Sequence, residues 1–118
     1  MKDRPEIVER TFQFAVRIVK LASHLDKQRV PRLLVGQLLA SGTSIGANTA
    51  EAQGAVSKRD FTNKLAIAMR EANETVYWLR LLVASQSVTS TKVDLLIADG
   101  QSIANTLGAI IRNTKRKD

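Results

Sequence analysis

The chain has no cysteine, which rules out disulfides, thiol nucleophiles and Cys-ligated zinc. It has two prolines, and aromatics make up 4% of its 118 residues, so Leu, Ile, Val and Ala must fill the interior, as they do in helical bundles. Acidic residues are scarce: 11 Asp and Glu stand against 18 Lys and Arg, a formal charge of +7. A surplus of that sign favours acidic partners, nucleic acid first among them. The most telling absence is local. From Leu33 through Ala50 there is no Asp, Glu, Lys or Arg.

That run is long enough to raise the question of a membrane span, but its composition answers it. Gln37, Ser41, Thr43, Ser44, Asn48 and Thr49 stand among Gly36, Gly42 and Gly46, a mixture that inserts poorly. No membrane contact is expected. As a helix, the run places Gln37, Ser41, Ser44, Asn48 and Glu51 on one stripe at spacings of three and four. A helix without a charged face is expected to be covered nearly all round. Each mid-helix glycine costs roughly 1 kcal/mol against alanine, so Gly42 and Gly46 are candidates for a close contact between copies, with Trp78 as a third interface candidate.

A chain of this length is one domain, residues 1–118. Helix one is expected over about 4–24, with Asp3 as cap and Glu6 three residues on. Its seam is Ile7, Thr11, Phe14, Ile18, Leu21 and Leu25, widened by Phe12 and Val19. Arg10, Arg17, Lys20 and His24 fall on the side away from that seam. Pro31 suits the first turn of helix two, about 31–53, and Gly54 suits its C-terminal cap. Helix three, about 58–85, has the clearest start: Ser57 as N-cap, Asp60 at the third helical position, Val56 and Phe61 at the staple positions. Its seam is Phe61, Leu65, Ala68, Ala72, Thr75, Leu79 and Leu82. Thr91 and Asp94 repeat the cap spacing for helix four, about 92–113, which closes on Arg112, Lys115, Arg116 and Lys117. Four helices with short connections give an all-α, antiparallel up-down-up-down bundle. MKDRPEIVER lacks the apolar run of a signal peptide, and a cytoplasmic location is expected.

Catalytic and metal chemistry find little support. Glu51, Glu71 and Glu74 lack the Glu-x-x-His partners of a carboxylate metal site, and no nucleophile accompanies them, so neither catalytic residue, metal nor cofactor is expected. The expected role of Glu71 and Glu74 is structural. They would face Gln37, Ser41 and Ser44 in a partly buried polar layer that also takes in Asn48 and Glu51, since a buried carboxylate needs hydrogen-bond donors.

Taken jointly, Gln37, Ser41, Ser44, Ile45, Asn48 and Glu51, then DFTNKLAIA from Asp60, then Glu71, Glu74 and YWLRLL from Tyr77, form a pattern. It resembles the bacterial four-helix bundle proteins called 23S ribosomal RNA intervening-sequence proteins. The resemblance implies a protomer that assembles into a homo-oligomeric ring, a homopentamer. It also implies kinship with the accessory protein of diversity-generating retroelements, a basic pentameric barrel that associates with a reverse transcriptase and nucleic acid. No biochemical activity is established for the family as a whole. The expectation is a non-enzymatic, self-associating interaction protein that binds RNA or DNA backbone through Arg10, Arg17, Lys20, Arg112, Lys115, Arg116 and Lys117. The alternative is a structural or protein-binding scaffold with no nucleic-acid role.

Overall fold

The computed structural model describes residues 3–117, and their side chains from Glu6 onward except that of Lys92. The expected cap at Asp3 lies outside the described side chains. Four helices follow one another: α1 (Asp3–Asp26), α2 (Arg32–Ala52), α3 (Lys58–Ala84) and α4 (Ser90–Arg116). There is no strand among the described residues. Each helix packs on the next in sequence, and α1 meets α4 more thinly to close the bundle, which measures 50 × 20 × 19 Å.

Cross-helix contacts run antiparallel. Arg10 reaches Thr106 while Arg17 reaches Asp99, Ser41 pairs with Thr75 while Glu51 approaches Lys64, and Gly100 abuts Val76 while Gly108 abuts Met69. The core is the aliphatic interior that the composition demands. Phe14, Ile18, Leu25, Leu38, Ile45, Leu65, Leu79, Leu82, Ile103 and Leu107 are fully enclosed. The α3 seam is buried from Phe61 to Leu82, as its spacing predicts. The α1 seam is narrower than expected, for Phe12 and Val19 point outward. Buried threonines return their hydroxyls to their own helix: Thr11 Oγ1 donates to Ile7 O at 2.8 Å and Thr49 Oγ1 to Ile45 O at 2.8 Å. Those bonds remove the desolvation penalty of an unpaired hydroxyl.

The helix ends part from local expectation in instructive ways. Ser57 caps α3, its Oγ accepting from Asp60 N at 3.0 Å, and Asp60 accepts from Val56 N at 3.3 Å. The staple does not form: Phe61 enters the core while Val56 is 94% exposed. Gly54 is not a left-handed cap, because no described glycine has positive φ. The chain leaves α2 through tight turns, Gly54 N to Glu51 O and Ala55 N to Ala52 O, that satisfy the last carbonyls without one. Thr91 cannot cap α4, since the helix already begins at Ser90; its N-cap, Thr89, accepts only from Thr91 Oγ1 at 3.4 Å and makes no side-chain capping bond. Pro31 occupies the N-cap of α2 rather than its first turn.

The left-handed residue is instead Gln86, at φ 62°. Ser87 N bonds Leu82 O at 2.9 Å and Gln86 N bonds Val83 O at 3.0 Å, the paired bonds of a Schellman ending of α3. A side chain at that φ costs roughly 1–2 kcal/mol. Gln86→Gly is therefore expected to raise stability by about 1 kcal/mol in denaturant unfolding, with part of the gain lost to the freer unfolded chain.

Candidate interaction surfaces

The charge-free helix is covered on one side only. Val35, Leu38, Ser41, Gly42, Ile45, Thr49 and Ala52 are buried, but Gln37, Ala40 and Ala47 are exposed and Leu33 is 77% exposed. Two of the proposed interface glycines have another duty. A Cβ on Gly42 would stand 2.6 Å from Ile18 Cγ2, and one on Gly46 would stand 3.1 Å from the Thr11 carbonyl oxygen. Both glycines let α2 lie against α1 inside the protomer. Gly36, by contrast, has nothing within 4 Å of its added Cβ.

The polar layer is rearranged by one helical turn. Thr75, not Glu71, stands level with Ser41: the two hydroxyl oxygens lie 2.9 Å apart, and Thr75 Oγ1 also lies 2.7 Å from Glu71 O. The cause is the connection 53–57, which continues past the end of α2 before reversing, so that Lys64 rather than an earlier residue comes opposite Glu51 at 4.0 Å. Asn48 Nδ2 turns back to Ser44 O at 2.9 Å. Among the described residues, Gln37, Glu71 and Glu74 make no side-chain hydrogen bond. Trp78, packed against the core with Tyr77 edge-on to it at 5.1 Å, buries its indole Nε1 without an acceptor among the described residues.

Glu71 therefore sits half-buried and unassisted. Burial first, and the neighbouring charge of Glu74 second, raise its pKa above the ordinary 4.5, while Arg70 opposes them. Folded Glu71 holds its proton more tightly than the unfolded chain does. Its ionised form thus works against folding above the raised value, and that penalty fades as the pH falls through it. In the isolated protomer, Glu71→Gln is expected to melt higher than wild type near about pH 7 and to match it near about pH 4.

The basic residues divide into two groups. On α1, Arg10 and Arg17 do not lie on a free outer face: both turn to Asp99 of α4, Arg10 at 2.7 Å and Arg17 at 3.1 Å. One carboxylate between two guanidiniums leaves a single net charge at the α1–α4 seam. Lys20 is exposed about two turns before the end of α1. The second group gathers at one end. Arg112, Lys115, Arg116 and Lys117 are exposed, and antiparallel packing brings the start of α3 beside them, adding Lys58 and Arg59. A cavity of about 390 Å³ there is lined by Ser57, Lys58, Phe61, Thr114 and Lys117 among others. Sequence reasoning missed Asp99 and Arg59. An acid at mid-helix was the available signal for the first, and nothing local signalled the second. Among the described residues no three His, Asp or Glu side chains come together as a metal site, and no helix is long and apolar enough to cross a membrane.

These features define a class: an all-α four-helix bundle with a group of exposed cations where the end of α4 lies beside the start of α3. Within that class the chain belongs to the 23S rRNA-intervening sequence protein family, which it matches over residues 4–109. It is similar to a protein of unknown function from the S23 ribosomal protein family of Bacteroides thetaiotaomicron, solved by crystallography at 1.70 Å resolution. The two share 43% identity over 89% of this chain and 97% of that one, with a TM-score of 0.86. No curated protein matches the chain.

Proposed function

We propose that this chain is a non-enzymatic, cytoplasmic scaffold that assembles with copies of itself into a ring of five and holds RNA or DNA backbone at its basic end. The observation that carries the nucleic-acid half is the cluster of Arg112, Lys115, Arg116 and Lys117 beside Arg59, none of which has a carboxylate partner among the described residues. Such cations bind phosphate without reading sequence, releasing condensed counterions as they do so. Repetition around a ring multiplies weak contacts into avidity. The family's name, with its reference to 23S rRNA, supports RNA as the first ligand to try.

The second reading, a scaffold without nucleic acid, gains support from the pairing of Arg10 and Arg17 with Asp99, which withdraws two expected phosphate contacts. Fluorescence anisotropy with single-stranded and duplex RNA separates the readings. Binding at about 50 mM salt that falls steeply by about 200 mM is the expected result. Neutralising Arg112, Lys115, Arg116 and Lys117 together to Gln should abolish it, whereas Arg10→Gln with Arg17→Gln should change it little. No binding at the lower salt would leave the scaffold reading.

A further inference from the structure

Two apolar faces of the protomer remain open, and they lie on different sides of it. The first follows the outer edge between α1 and α2 and carries Phe12, 59% exposed, with Val16, Val19 and Leu39. The second runs down the outside of α3 and carries Ile67, Tyr77, 58% exposed, with Trp78 and Leu81. The chain has five aromatic residues, three Phe, one Tyr and one Trp. Phe14 and Phe61 serve the core, so the other three all stand on these two faces. Aromatic side chains are enriched at the buried centres of protein interfaces.

Both faces stand at one height on the bundle. Gly42 abuts Ile18 and Ser41 meets Thr75, so those residues share a layer; Gly46, one turn along α2, abuts Thr11 and Phe12. The stretch from Phe12 to Val19 is thus level with the middle of α3, between Ile67 and Leu81. Charge agrees with that register. Among the described residues Glu71 and Glu74, on the α3 face, have no ion pair, and Lys20, beside Val19 and also without one there, lies within a turn of their height.

We propose that copies meet head to tail, the Phe12–Val19 face of one against the Ile67–Leu81 face of the next, with Lys20 approaching the Glu71–Glu74 pair. The inference rests on the self-assembly of the preceding section and specifies its geometry. Two unlike patches make a heterologous contact, which closes into a ring when it turns each copy without shifting it along the axis, as equal heights require. A patch that met itself would stop at a dimer.

A chain without cysteine makes the test direct. Phe12→Cys and Tyr77→Cys are introduced singly and together, and each protein is treated with a short bis-maleimide linker. The head-to-tail contact predicts no covalent dimer from either single variant and a ladder of dimer, trimer and larger species from the double variant. Dimers from a single variant, or no ladder from the double one, would overturn it. Light scattering on wild type keeps the two proposals apart: a monomer defeats self-assembly itself, whereas a large species with no ladder defeats only this choice of faces. Val19→Cys with Ile67→Cys gives a second, independent pair should the first disturb the fold, which circular dichroism reports.

Discussion

Gly46→Ala is expected to lower the stability of this protein by about 2 kcal/mol, although alanine is the better helix former by about 1 kcal/mol. The added methyl would stand 3.1 Å from the Thr11 carbonyl oxygen and 3.3 Å from its carbon. Those are backbone atoms of α1, already committed to that helix, so relief requires the two helices to part. Overpacking of that kind costs roughly 1–3 kcal/mol and here falls at the upper end. Gly42→Ala meets Ile18 Cγ2 at 2.6 Å and Cγ1 at 2.9 Å, branch atoms of a fully buried residue that cannot swing away together, and should cost at least as much. Gly36→Ala is the internal control. With nothing near its Cβ it should gain about 1 kcal/mol from helix propensity alone. Thermal unfolding checks the order: Gly42→Ala and Gly46→Ala below wild type, and Gly36→Ala above it. A shift of about 4 °C per kcal/mol is expected for a domain of this size. If Gly46→Ala melted at or above wild type, the tight α1–α2 approach would be wrong.

Those glycines also show how far the residues alone can carry a structural argument. Their presence in a helix demands a close neighbour, but the demand reads the same whether that neighbour is α1 of the same chain or a helix of another copy. Only the rotation of α2 about its axis decides, and rotation depends on all four helices at once. Periodicity, by contrast, is local, so the buried line Phe61, Leu65, Ala68, Ala72, Thr75, Leu79 and Leu82 could be read directly. So could the Ser57–Asp60 cap, where a short polar side chain meets a free backbone N–H three residues on.

The site was less legible because its partners are distant in sequence. Arg10 and Arg17 have the spacing of a solvent-facing stripe, yet α4 passes close enough for Asp99 to take both, 89 and 82 residues away. The polar layer failed by a single turn. A shorter reversal near Gly54 would have put Ser41 opposite Glu71; the actual path puts it opposite Thr75 and leaves the carboxylate without its hydroxyls. Gln86 carries no local mark at all, since glutamine is not a residue that seeks a left-handed conformation.

Phe14→Ala should be the more damaging core change, at about 3–5 kcal/mol. Its ring is wholly buried and reaches Gly100, where an added Cβ would lie 3.5 Å from Cζ. It therefore fills the space where α1 meets α4, the thinnest contact in the bundle, and few neighbouring side chains can move in to replace it. The vacancy gives Gly100 a diagnostic role. In wild type, Gly100→Ala brings a methyl to 2.9 Å from Val76 Cγ2, with Phe14 preventing any retreat, so it should destabilise despite the helix gain. In the Phe14→Ala background Val76 can turn into the space left by the ring, and the same substitution should become stabilising. The double variant is then expected to be more stable than the sum of the single effects implies, by about 1 kcal/mol or more, a coupling typical of residues that share a cavity. Denaturant unfolding of the four proteins measures it. Strict additivity would mean that Phe14 and Gly100 do not fill the same space, and the seam between α1 and α4 would have to be drawn differently.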